Sequence, residues 1–147
     1  MRSMLATGSA TIDAERAFQR ASRGRRRAAV LRWVRRRPVR RGQLPVVGEN
    51  ALTATSGRTR TAEIPLCEIR ATLEPSRAEQ FDGDFRPAPI ARPRWERVWL
   101  AEHRGAPLPP ISVVKVDGGY ALRDGHHRVS VARARGALAI DAVVEHL

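Results

Sequence analysis

The sequence predicts a small α+β domain behind a basic helical arm. Three observations lead there. From residue 61 the pattern reads strand, long loop, helix, hairpin, helix, strand, an order that packs helices against a small mixed β-sheet. The charge is divided: residues 1–60 carry 15 Arg against three acids, while residues 61–147 carry twelve basic and twelve acidic side chains. The whole net charge of +12 therefore belongs to the first part. Residues 38–60 are rich in Pro, Gly, Thr and Ser, as connectors are. The expected organisation is an Arg-rich helical extension over 1–42, a linker over 43–60 and a domain over 61–147.

Residues 11–37 read as the basic helix. Thr11 or Asp13 can cap it, and Asp13 and Glu15 suit the positive end of its dipole. Ala14, Ala17, Phe18 and Ala21, then Ala28, Leu31 and Val34, recur at helical spacing. Gly24 is expected to divide the helix in two, and Pro38 stops it. Ala62 to Leu66 reads as a short strand. Residues 74–94 read as irregular, with Pro75, Gly83, Pro87, Pro89 and Pro93. Phe81 and Phe85 are expected to anchor this loop on the core. Pro93 suits the first turn of a helix on which Trp95, Val98 and Trp99 share one apolar face up to Gly105. The two tryptophans read as core, not as a stacking platform. Ile111 to Val116 is a strand, Asp117-Gly118-Gly119 a tight turn and Tyr120 to Leu122 the return strand. A helix follows as far as Gly136, which suits its C-cap. Ile140 to Val144 is the last strand, and the helix must cross over to bring it beside the sheet.

Composition excludes several classes. Hydrophobic residues make up 42% of the chain, enough for one modest core. No apolar run approaches the roughly 20 residues that span a bilayer. Met1 to Ala10 lacks the apolar centre of a secretory signal, so a cytoplasmic location is expected. Cys67 is the single cysteine, which leaves no disulfide framework and no cysteine-based zinc site; its strand-like surroundings predict a buried, inert thiol. His103, His126 and His127 have the wrong spacing for zinc.

The turn Asp124-Gly125-His126-His127-Arg128 carries the chemistry. It joins an apolar strand to a helix, so free backbone N–H groups and the positive end of the helix dipole point to one place, where an anion, usually phosphate, can sit. Arg128 offers a planar fork to phosphate, or else pairs with Asp124 or Glu145. His127 can donate to phosphate or move a proton, or else bonds a backbone carbonyl. One of two adjacent histidines normally points away, which leaves His126 open. Asp124 can bind Mg²⁺ beside a nucleotide, or cap the turn. Gly125 allows close backbone approach, and Ser130 can reach a phosphate or bond its own helix. Arg86 and Arg92 can reach a ligand or stay solvated. In the arm, Arg25, Arg26, Arg27, Arg35, Arg36 and Arg37 can neutralise DNA or RNA phosphates without reading sequence. Its Ala-rich apolar face is too thin for a membrane surface, and the helix can pair with a second copy of the chain.

The C-terminal part resembles the ParB/sulfiredoxin superfamily. The residues that carry the resemblance are Ala62-Glu63-Ile64-Pro65-Leu66 with Ile69, Asp84-Phe85-Arg86-Pro87, the Trp-bearing helix, Pro109-Pro110-Ile111-Ser112-Val113, Gly119-Tyr120-Ala121-Leu122, the run from Asp124 to Ala132, and Ile140 to Val144. Together they cover residues 61–147 and are similar to bacterial proteins with a ParB N-terminal-like or ParB-like nuclease domain. The resemblance implies the superfamily's α+β fold and a turn that contacts nucleotide phosphates. ParB proteins bind CTP there through Gly-x-Arg-Arg. Sulfiredoxins carry Gly-Cys-His-Arg, and His126 falls on that cysteine, so sulfinic-acid reduction is not expected. Free serine kinases of the superfamily share an Asp-Gly-x-His-Arg turn and use a glutamate base, for which Glu74 is the nearest match, without the usual His-Glu pair. Leu147 stands three residues after the last predicted strand, so the helix-turn-helix region and centromere binding of chromosome-partitioning ParB proteins are not expected.

The reading that emerges is a nucleotide-binding ParB-like protein. It would hold CTP, ATP or ADP through Asp124, Gly125, His126, His127, Arg128 and Ser130, with Mg²⁺ as an optional partner on Asp124, and contact nucleic acid through its arm. The alternative is an enzyme, a small-molecule kinase or nucleotide phosphohydrolase in which Glu74 and His127 are catalytic. A ParB-like nuclease ranks last, because no paired carboxylate–Lys metal site is present.

Overall fold

Two eight-residue strands pair along their full length and frame the sheet. The computed structural model describes residues 9–34, 43–48 and 58–146. β1 (Arg58–Pro65) runs antiparallel to β5 (Ala139–His146), from Arg58 opposite His146 to Pro65 opposite Ala139. On its other side β5 pairs in parallel with β3 (Ile111–Val116). β3 pairs antiparallel with β4 (Gly119–Asp124), and β4 in parallel with β2 (Ile69–Thr72). The order is β1-β5-β3-β4-β2, a mixed sheet within an α+β fold, as the element order predicts.

Among the described residues four α-helices complete the fold: α1 (Ala10–Val34), α2 (Pro75–Ala78), α3 (Arg92–His103) and α4 (His126–Ala134). The alternation of side chains along a strand divides the apolar residues between two faces. Val113 and Leu122 enter the main core with Val129 and Val131 of α4, while Val114 and Ala121 join Ala71 and Leu73 in a smaller cluster. α3 buries Trp95 and Trp99. Ala14 and Ala17 are small enough to let α1 approach α3, and Phe18 meets Trp95 edge-on with ring centroids 5.5 Å apart. None of the described helices is long and apolar enough to cross a membrane.

Several elements differ from the sequence expectations. α1 runs unbroken through Gly24, because its first half is already docked on the core; a Cβ at Gly24 would lie 3.3 Å from Arg86 Cδ, so the glycine makes room for that side chain. β1 starts at Arg58, and a short 3-10 turn at Leu66–Glu68 separates it from the unforeseen strand β2. Cys67 stands on that turn and is exposed, not buried. Part of the expected linker is packed structure: Leu44 lies in the main core, the Thr72 amide donates to Pro45 O at 2.8 Å, and the Val47 amide donates to Thr72 O at 2.8 Å. α2 lies inside the stretch that reads as irregular, with Pro75 in its first turn.

The rest of that stretch is a tight knot around Asp82, which is fully buried. One of its carboxylate oxygens accepts from the Asp84 amide at 3.0 Å and the Arg86 amide at 2.8 Å. Phe85 sits at a φ of 60°, an uncommon conformation for a bulky residue. Its buried ring and its backbone bonds hold it there: the Phe85 amide donates to Asp82 O at 2.9 Å, and its carbonyl accepts from the Ser130 hydroxyl at 2.6 Å. Ser130 in turn accepts from the Trp95 indole at 2.8 Å. Its hydroxyl is thus committed to the core between α3, α4 and this loop, and not to a phosphate as its place in the motif suggests. Ser130→Ala should leave an indole N–H and a carbonyl buried without partners and cost about 2–4 kcal/mol, read from the urea midpoint.

Candidate functional site

One residue separates β4 from α4. Gly125 adopts a φ of 107°, and a Cβ on it would lie 2.5 Å from Ile111 Cγ2, so no larger residue fits. The first amide bonded within the helix is that of Val129, which donates to Gly125 O at 3.0 Å. Gly125 brings no capping side chain, so the amides of His126, His127 and Arg128 stand at an uncapped, electropositive helix end.

The three side chains of this turn go to three places. His126 packs beside the Phe81 ring, and its Nε2 lies 2.6 Å from Thr72 Oγ1. The Thr72 hydroxyl also accepts from the Glu74 amide at 2.9 Å and lies 3.3 Å from Leu122 O. Its single proton goes to Leu122 O or to the imidazole, so Thr72 sets the tautomer of His126. His127 is 5% exposed and meets Phe81 edge-on at 5.2 Å. It lines a cavity and has no hydrogen-bond partner among the described residues. Burial pushes the pKa of each histidine from 6.5 down to about 4; Arg77 and Arg94 add to the shift in both, and Asp124 opposes it in His126. Both rings are neutral at neutral pH. Arg128 donates to Pro109 O and lies 3.6 Å from the exposed carboxylate of Asp124. Burial works against the charge of Arg128 and Asp124 supports it. Glu145, the other partner considered from sequence, pairs with Arg123 at 3.1 Å.

These residues face a cavity of about 300 Å³, completed by Arg77 of α2 and by Arg94 and Val98 of α3. Neither Arg77 nor Arg94 has a carboxylate partner among the described residues. Sequence reasoning missed both. Arg94 and Val98 share a helix face at i, i+4, beside the apolar face that was visible. The Pro75 start could have revealed α2 and so Arg77. Glu74 precedes α2, with an exposed side chain and with its amide on the Thr72 hydroxyl that also touches His126. Arg86 and Arg92 are ion-paired, with Asp82 and Asp84 and with Glu96. Arg26 and Arg27 are exposed on α1 and Arg25 is partly buried; Arg35, Arg36 and Arg37 lie outside the described residues. Two larger hollows, of about 530 and 580 Å³, flank α1, and the first contains Asp84, already engaged by Arg86 and Arg133. Among the described residues no group of three or more His, Cys, Asp or Glu side chains could hold a metal ion. Asp124 offers Mg²⁺ one carboxylate, which fits an ion held mainly by phosphate oxygens and water.

No family model matches the chain, and no curated protein matches it. Among solved structures, the sulfiredoxin of Arabidopsis thaliana is similar at 23% identity, over 60% of this chain and 86% of that one, with a TM-score of 0.43.

The histidines tie stability to pH. In the unfolded chain they take up protons near 6.5, and in the fold only near 4. Between those values the unfolded state binds more protons, so stability falls as pH drops from 6.5 towards 4, by up to about 3 kcal/mol for each ring. Urea midpoints measured from pH 7.5 to 4.5 should show this fall, and His127→Gln should make it shallower. A midpoint that His127→Gln shifts equally at every pH would count against a neutral, buried His127.

Proposed function

We propose that this chain binds the phosphate groups of a nucleoside di- or triphosphate at the mouth between β4 and α4. One observation carries the reading: Arg77, Arg94 and Arg128, from three different helices, line one small cavity with the uncapped start of α4 and a buried His127 that has no other hydrogen-bond partner. Guanidinium forks match phosphate oxygens, and a neutral imidazole donates an N–H without adding charge. The resemblance of the Asp-Gly-His-His-Arg turn to the phosphate-contacting turn of the ParB/sulfiredoxin superfamily supports the same reading. Mg²⁺, where present, would sit between the phosphates and Asp124. The exposed Arg26 and Arg27 leave the arm open to nucleic-acid phosphates, the second partner that the charge asymmetry suggests. Calorimetry with CTP, ATP, ADP and GTP should give at least one dissociation constant below about 1 mM, weakened about tenfold or more by Arg128→Ala. No heat from any of the four at millimolar concentration would reject the proposal.

One further observation favours an enzymatic reading, a kinase or phosphohydrolase. Glu74 stands at the start of α2, the helix that carries Arg77 of the cavity, and its backbone amide shares the Thr72 hydroxyl with His126. A ring held at about 4 is a poor proton acceptor at neutral pH, so His127 would serve as a donor to oxygen and Glu74 as the base. In this reading phosphate release from ATP by hydrolysis, or ADP formation with phosphoryl transfer to a small hydroxyl acceptor, should drop about a hundredfold in Glu74→Gln. Turnover that survives both Glu74→Gln and His127→Ala unchanged would remove the two residues from the chemistry.

A further inference from the structure

We infer that recognition at this mouth ends with the phosphate oxygens: base and sugar are left unread, and inorganic pyrophosphate is as much a ligand as any nucleotide. The inference rests on the phosphate reading above and narrows its ligand class.

The polar groups around the cavity are almost all donors. Arg77, Arg94 and Arg128 present guanidinium N–H groups, the two histidines are neutral rings, and Asp124 is the one carboxylate among the described lining residues. A purine or pyrimidine edge carries donors as well as acceptors, so reading one takes a matching mixture at fixed positions. Phosphate oxygens only accept, and a donor-rich wall suits them.

A base could also be held by stacking on an aromatic face. The apolar part of the described lining is aliphatic, with Val98, Leu108 and Pro109, and the two histidine rings, 4% and 5% exposed, show little face to it. Phe81 stands behind the histidines and is fully buried; Trp95 is fully buried and Trp99 is 8% exposed. A volume of about 300 Å³ is also at the lower end for small-molecule pockets, which run from about 300 to 1,000 Å³. That volume suits a phosphate chain better than a whole nucleotide.

Charge points the same way. Three guanidinium groups against one exposed carboxylate leave a cationic excess, to which the start of α4 adds about half a positive charge. His127, 95% hidden and without a hydrogen-bond partner among the described residues, can turn an N–H to the same place. Nothing in that combination depends on what the phosphates are attached to.

The test is calorimetry on the full chain with CTP, ATP, GTP, inorganic pyrophosphate, cytidine and adenosine. The three triphosphates should bind within about threefold of one another, and pyrophosphate within about tenfold of them. The two nucleosides should give no heat at millimolar concentration. Arg94→Gln, a change at an exposed position, should weaken pyrophosphate and ATP by the same factor, about tenfold. One triphosphate binding more than about tenfold tighter than the others, or triphosphates binding where pyrophosphate does not, would overturn the inference and leave the phosphate reading standing. Silence from every phosphate compound would remove both.

Discussion

Gly125 holds a backbone conformation that only glycine accepts in that space, with Ile111 of β3 pressed against the position of its missing side chain. That contact makes the passage from β4 into α4 a single residue long. β4 lies between β2 and β3 in the sheet, so a turn this short stands over both neighbours. His126, the first residue past it, reaches Thr72 at the end of β2. Arg128 reaches Pro109, just ahead of β3. His127, between them, is left over Phe81 and the cavity. A longer connection would free the helix start from the sheet, and the fixed spacing of these three side chains would be lost with it.

The turn is supported from behind by a loop that has almost no regular structure. Asp82 and Phe85 make that loop rigid: the first collects amides on its buried carboxylate, and the second accepts a φ of 60° in order to place its carbonyl on Ser130. Phe81, fully buried in the same loop, is the common surface against which both histidines rest. α3 closes the arrangement with adjacent residues on different faces, Trp95 bonded to Ser130 within the core and Arg94 lining the mouth. Core and site are therefore built from the same residues, and what stiffens one positions the other.

Local chemistry made much of this legible in the sequence. The Asp117-Gly118-Gly119 turn, the Trp95–Trp99 face and the helix ending near Gly136 each depend on residues a few positions apart, and each is found where expected. The motif from Asp124 to Arg128 also stands between a strand and a helix, as its flanking pattern requires. What sequence could not supply is the partner across space. Ser130 reads as a site residue because it follows the motif, yet an indole 35 positions earlier claims it. Cys67 lies within a strand-like run, yet a 3-10 turn brings it to the surface. Leu44 stands in a stretch with the composition of a linker, yet one buried leucine and two bonds to Thr72 make part of that stretch structural. Arg77 and Arg94 are indistinguishable from the other arginines of the domain until the fold brings them to one mouth.

That last contrast bears on function most directly. The domain contains twelve carboxylates for twelve cations, and several arginines are paired with them. Arg86 meets Asp82 and Asp84, Arg92 meets Glu96, Arg123 meets Glu145, and Arg133 approaches Asp84. At the β4–α4 mouth three guanidinium groups line one cavity. Arg77 and Arg94 are left without carboxylates among the described residues, and Arg128 has one that is mostly in solvent. Two histidines nearby are kept uncharged by burial and by those same arginines. Gathering like charges beside buried rings costs stability in the free protein. Phosphate oxygens in the cavity would convert that repulsion into charge-assisted hydrogen bonds, and the helix end would add its own donors. The guanidinium groups gathered at this cavity are thus the ones that an anionic ligand would turn into its grip.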